Sequence, residues 1–108
     1  FVAFLICFSA HCMGGDEARG IPFKPDPPFA IDGDLSDWAN VPNAMKLDMP
    51  AQVVWGRGAW ESAKDLSSTA YIAWRRTCLY VAVNVVDDQV RQTQRGNGIW
   101  RGDHIEVY

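Results

Sequence analysis

With 108 residues the chain has room for one domain at most, and a core would draw on most of them. Thirteen acidic residues against ten basic ones give a formal net charge of -3, and Arg75-Arg76 is the only adjacent basic pair, which excludes the basic stripe of a nucleic-acid-binding surface. The 48% hydrophobic and 21% charged content is that of an ordinary globular protein, but five tryptophans are many for this length; any one fills a core readily, and five leave room for a surface platform.

Phe1 to Ala10 is a short apolar run without an initiator Met or a basic lead. A bilayer span needs about 20 apolar residues, so the run suits the hydrophobic stretch of an export signal. Residues 1–15 therefore read as a signal peptide with a truncated start, and its cleavage point is not set, because Ala10 is small but Phe8 is bulky. A buried first strand is the competing reading. Export implies a secreted, periplasmic or cell-surface protein, with no membrane span once the signal is removed. Cys7 would leave with the signal. A Cys12–Cys78 disulfide is compatible with export but demanded by no spacing, and Cys78 reads equally well as a small buried hydrophobe. No CxxC or paired Cys/His spacing suggests zinc.

Residues 16–30 carry Pro22, Pro25, Pro27 and Pro28 and read as an extended linker into the domain. Ile31 to Trp38 opens the domain proper. Asp32-Gly33 is a turn signal, and Asp34 or Ser36 can cap one helical turn whose Leu35 and Trp38 plug the end of a core. Asp32, Asp34 and Asp37 are also calcium-type ligands, but capping is the simpler reading and the closing Glu of an EF-hand loop is missing. Met45 to Met49 alternates, predicting a short strand ended by Pro50. In Trp55-Gly56-Arg57-Gly58-Ala59-Trp60 a flexible binding loop competes with a loop whose indoles fold back as core plugs. The spacing does not separate the two, and the plug is the plainer reading.

From Ser67 the pattern is clearer. Ala70–Trp74 and Leu79–Val86 are rich in β-branched and aromatic residues, with a polar turn over Arg75-Arg76-Thr77-Cys78, and predict an antiparallel hairpin. Leu79, Val81, Val83 and Val85 share one face, which suits a core, while Tyr80, Ala82 and Asn84 point the other way. Asp87-Asp88 ends the strand and a polar segment runs to Gly98. Hairpins without a convincing long helix imply an all-β fold, an antiparallel β-sandwich of immunoglobulin or jelly-roll type.

Trp100 then sits in a Gly-rich loop, followed by a last alternating strand with Asp103, Ile105 and Val107 on one face and His104, Glu106 and Tyr108 on the other. An exposed indole beside a strand-borne carboxylate is a sugar-holding arrangement, the ring stacking on C–H groups and the carboxylate accepting from hydroxyls. Asp103, short and at the strand entrance, suits the capping of backbone amides. The chain stops inside this strand, so it reads as an incomplete fragment of a domain.

Four blocks in this order, Ile31–Trp38, Ala73-Trp74, Leu79–Asp88 and Trp100–Val107, resemble carbohydrate-binding module family 9 and the broader family 9-like domain. The resemblance covers residues 31–108, about the first half of such a module. It implies a β-sandwich and a slot that clamps a terminal sugar, with Trp100 as one wall and Glu106 bonding sugar hydroxyls; the second wall belongs to the family's later half. It also implies structural calcium, for which Asp87, Asp88 and Asp103 are candidates without a single assignable ligand. The function implied is carbohydrate binding by an exported, polysaccharide-associated protein, an accessory module of a glycoside hydrolase in polysaccharide catabolism. The segment itself is then non-catalytic, and a polysaccharide or oligosaccharide is its partner. Two alternatives stand beside this. Glu106 with Asp103 or Asp88 has the composition of a glycosidase carboxylate pair. A family 9-like structural or haem-binding module, of a surface or electron-transfer protein, would need axial ligands that Met45, Met49 and His104 do not obviously arrange.

Overall fold

The computed structural model describes residues 20–107, so the signal reading, Cys7, Cys12 and Tyr108 lie outside the described residues. The architecture is all-β. Three strands, β1 (Met45–Leu47), β2 (Leu66–Arg75) and β3 (Cys78–Asp87), form one antiparallel sheet in the order β1-β2-β3. Single 3-10 turns cover Ser36–Trp38 and Pro50–Gln52, and a longer 3-10 segment covers Gly96–Arg101. No helix among the described residues is long and apolar enough to cross a membrane.

The hairpin forms where the β-branched run predicts it, and it is longer than expected. Arg75 pairs with Cys78 and Leu66 with Asp87, so the turn shrinks to Arg76-Thr77 and each strand gains residues at the open end. Two-residue connections hold antiparallel strands in fixed register. The short alternating segment before Pro50 also forms, as β1, and pairs Met45 with Ala70 and Leu47 with Ser68.

The core lies on the opposite face of the hairpin from the one expected. Tyr71, Ala73, Tyr80 and Ala82 are cross-strand neighbours on one face, and Phe29, Trp38, Leu35 and Val41 pack on them. Leu79 and Val85, on the other face, remain 57% and 45% exposed. The reason is size complementarity. Ala73 and Ala82 leave a shallow seat in the sheet, and into it fits the stacked pair Phe29–Trp38, with ring centroids 3.8 Å apart and planes 7° from parallel. Tyr80 meets Phe29 edge-on at 5.2 Å. Aromatic pairs in these geometries add to the burial itself.

Trp38 is delivered to this seat by the turn foreseen at Asp34. Asp34 Oδ1 accepts the Ser36 amide, Asp32 Oδ1 accepts the Asp34 amide and Asp37 Oδ2 accepts the Ala30 amide. All three carboxylates thus serve as local backbone caps.

The Pro-rich segment before residue 31 runs extended but is part of the packed unit. Phe29 is in the core, and Phe23 bridges to Trp74 in a parallel sense, with Lys24 N–H donating to Trp74 O and Trp74 N–H to Pro22 O. Asp26 pairs with Arg75 at the hairpin tip. The expected last strand is absent: residues 103–107 take no strand assignment. Among the described residues their only backbone-to-backbone hydrogen bond to another segment is from Asp103 N–H to Arg91 O, and an extended chain without a paired neighbour forms no ladder.

Candidate functional site

Three segments meet at the open end of the β2–β3 hairpin and enclose a cleft of about 800 Å³. Residues 53–60 contribute Trp55 and Trp60, the strand ends contribute Asp65, Leu66, Asp87 and Asp88, and the chain from Gln89 to Ile105 contributes Arg91, Trp100, Asp103 and His104. Pockets that hold drug-sized ligands run from roughly 300 to 1,000 Å³, and this one is large for a single sugar ring.

Trp100 stands on this cleft and is 53% exposed. It is carried by the 3-10 segment Gly96–Arg101, and the Arg101 guanidinium lies 5.0 Å from the centroid of its ring, a cation–π contact that helps to fix the indole. The turn itself is braced from the other side. The Gln92 side-chain amide donates to Ile99 O at 3.1 Å and to Asp103 O at 2.6 Å, while its Oε1 accepts the Gln94 amide at 2.9 Å. Asp103 completes the clamp: its N–H donates to Arg91 O at 3.2 Å and its Oδ2 accepts the Arg91 amide. Nothing in the sequence pattern marks Gln92 for this role, since its partners are backbone atoms seven and eleven residues away.

Gly102 is required at this clamp by close approach and not by a left-handed backbone. A Cβ there would lie 2.6 Å from Gln92 Oε1 and 2.8 Å from Arg91 O. The Arg91 contact is backbone and has nowhere to go. Gly102→Ala is therefore expected to cost about 1–3 kcal/mol in urea unfolding through overpacking. Gly58→Ala, where an added Cβ meets nothing within 4 Å, should stay within about 0.5 kcal/mol of the parent. Equal losses in the two variants would remove Gly102 from the clamp.

Glu106 is not brought onto the cleft wall with Trp100. It is half-buried beside His104, whose Nε2 lies 3.2 Å from Glu106 Oε1 and whose Nδ1 lies 2.7 Å from Gly102 O. His104 itself lines the cleft and connects it to Glu106.

The two tryptophans of the 55–60 loop part company. Trp60 is half-buried and its Nε1–H donates to Leu66 O at 2.8 Å, so it plugs the end of the sheet. Trp55 stays 59% exposed on the cleft. Gly56 beside it takes a φ of +73°, a left-handed conformation that suits glycine and turns the chain between the two indoles.

Asp87, Asp88 and Asp103 all line the cleft, and two of them are engaged with backbone amides. Asp87 Oδ1 accepts the Gln89 amide and Asp103 Oδ2 the Arg91 amide. Among the described residues no three carboxylate, His or Cys side chains are grouped to hold an ion. Met45 lies in β1, Met49 is exposed, and both ring nitrogens of His104 lie within hydrogen-bond distance of oxygens.

No curated protein and no solved structure matches this chain. A family model does match, over residues 31–108, which takes in β1 to β3 and the Trp100 clamp. On that match the chain belongs to the carbohydrate family 9 binding domain-like family.

Proposed function

We propose that this domain binds carbohydrate without cleaving it, with Trp100 as the stacking platform and Glu106, just outside the cleft lining and next to His104 on it, as a hydroxyl acceptor at the cleft's edge. The observation that carries the reading is a half-exposed indole held on the wall of a large cleft by a brace of named bonds. A tryptophan with no binding role has little need of such fixing, whereas a platform that is already rigid loses little entropy when a ring stacks on it. His104 orients Glu106 at 3.2 Å, which keeps one carboxylate oxygen in a defined direction for a hydroxyl donor. The setting proposed is an exported protein that acts on or adheres to polysaccharide, the domain serving as an accessory module beside a glycoside hydrolase. The apolar run Phe1–Ala10 supports export, and family membership supports the ligand class.

Isothermal titration of the purified protein with cello- and xylo-oligosaccharides tests this directly. Binding of at least one neutral series is expected. Glu106→Gln, which keeps the shape and removes the charge, should weaken it by about tenfold, the scale of one hydrogen bond to a charged group. Unaltered affinity in that variant would remove Glu106 from the site and leave Trp100 to be tested separately.

A further inference from the structure

We infer that Trp55 is a second stacking platform on the same cleft, so that the ligand is a neutral oligosaccharide chain engaging more than one indole. The inference rests on the proposed role of Trp100 and extends it to a residue outside the four blocks that carry the family resemblance. Trp55 and Trp100 come from segments on either side of the β2–β3 hairpin in sequence, and both remain more than half exposed on one cleft of about 800 Å³. Their neighbour Trp60 shows what a structural indole looks like here: it is half-buried and its N–H is satisfied by Leu66 O at 2.8 Å. Trp55 has neither property in such measure. A large apolar ring left on a concave wall is costly to hydrate, and a flat apolar sugar face is the kind of surface that covers it while hydroxyls stay wet.

Charge narrows the ligand. Asp65, Asp87, Asp88 and Asp103 line the cleft against Arg91 and Arg101. Asp65 and Asp103 are fixed in place by accepting the Glu61 and Arg91 amides. An excess of carboxylates repels an acidic chain such as a uronate oligomer, while neutral hydroxyls find acceptors throughout.

The test uses titration calorimetry on the purified protein with three probes, cellobiose, cellohexaose or xylohexaose, and a hexameric galacturonate. Trp55→Ala is expected to weaken hexasaccharide binding by about tenfold while leaving disaccharide binding within about twofold. Trp55→Phe, which keeps a ring, should recover most of the loss, and neither variant should shift the urea midpoint. The galacturonate should bind at least tenfold more weakly than the neutral hexasaccharide. If Trp55→Ala binds the hexasaccharide as well as the parent while Trp100→Ala does not, this inference fails and the Trp100 reading stands. If Trp100→Ala also binds as the parent does, or if the parent binds none of the neutral probes, the Trp100 reading fails and takes the inference with it. Preferential binding of the galacturonate overturns the assignment of a neutral ligand.

Discussion

Trp38→Ala is expected to be the most damaging single substitution in the described domain, lowering stability by about 3–5 kcal/mol. Trp38 is only 2% exposed and stacks on Phe29 at 3.8 Å, with Tyr71 and Tyr80 closing over it at 6.2 and 6.3 Å. Removing the indole leaves a cavity between the stacked ring and the shallow Ala73–Ala82 seat. Those alanines cannot grow to fill it, and the rigid hairpin beneath them cannot collapse into it. Domains of this size hold roughly 5–15 kcal/mol in total, so the variant should keep little of it. In urea, with a slope near 1.5 kcal/mol per M, the midpoint should fall by roughly 2 M or more. Trp38→Phe should recover part of the loss, because a second stacked ring is retained. Trp74→Ala is the matched control: that indole is 43% exposed at the hairpin tip, against Phe23 and a single bond to Ile21 O. It should cost clearly less. Equal losses at the two positions would mean that the core is not where the Phe29–Trp38 stack lies.

Whether a feature could be read from the sequence follows from whether local chemistry alone decides it. The hairpin was legible because Thr69, Ile72, Val81, Val83, Val85 and Val86 prefer extended backbone wherever they stand. The turn before Trp38 was legible for the same reason, since Asp34 caps its own neighbour two residues on. Which hairpin face is covered was not legible. Both faces carry apolar side chains, and period two identifies faces without saying which one receives a partner. The aliphatic face looked more like a core, but the partner supplied by Phe29 and Trp38 is flat and aromatic and fits the alanine face instead. Phe29 was hidden for a related reason: four prolines in the segment before residue 31 give it a linker's composition while the Phe29 ring does a core residue's work. Trp100 stands out as a candidate because an indole beside glycines and a carboxylate is a local signature. Gln92, Gly102 and the split between Trp55 and Trp60 depend on contacts between segments, and periodicity carries no information about those.

Trp100→Ala is expected to abolish measurable oligosaccharide binding, a loss of about thirtyfold or more, as for a central tryptophan that carries at least 2 kcal/mol of an interface. The same variant should fold normally. Its indole is 53% exposed, and the one ring contact it gives up, with Arg101 at 5.0 Å, is worth about 0.5–1 kcal/mol at an exposed site. Binding and stability therefore separate at this position, and that separation is what distinguishes a platform from a plug. Trp60 should behave in the opposite way: its Nε1–H satisfies Leu66 O, so truncation there should lower the urea midpoint and impair binding only in proportion to unfolding. Arg101→Ala should leave the indole in place but less fixed, giving a loss of affinity much smaller than that of Trp100→Ala. Gly102→Ala should weaken binding as well, because the added Cβ pushes on Arg91 O and Gln92 Oε1 and so displaces the turn that carries Trp100. In that variant the loss of affinity accompanies a loss of stability, whereas in Trp100→Ala it stands alone. A Trp100→Ala protein that binds cello- and xylo-oligosaccharides as tightly as the parent would place the ligand elsewhere on the sheet. Affinity lost only in step with stability would make Trp100 a structural residue and the clamp around it a device of folding.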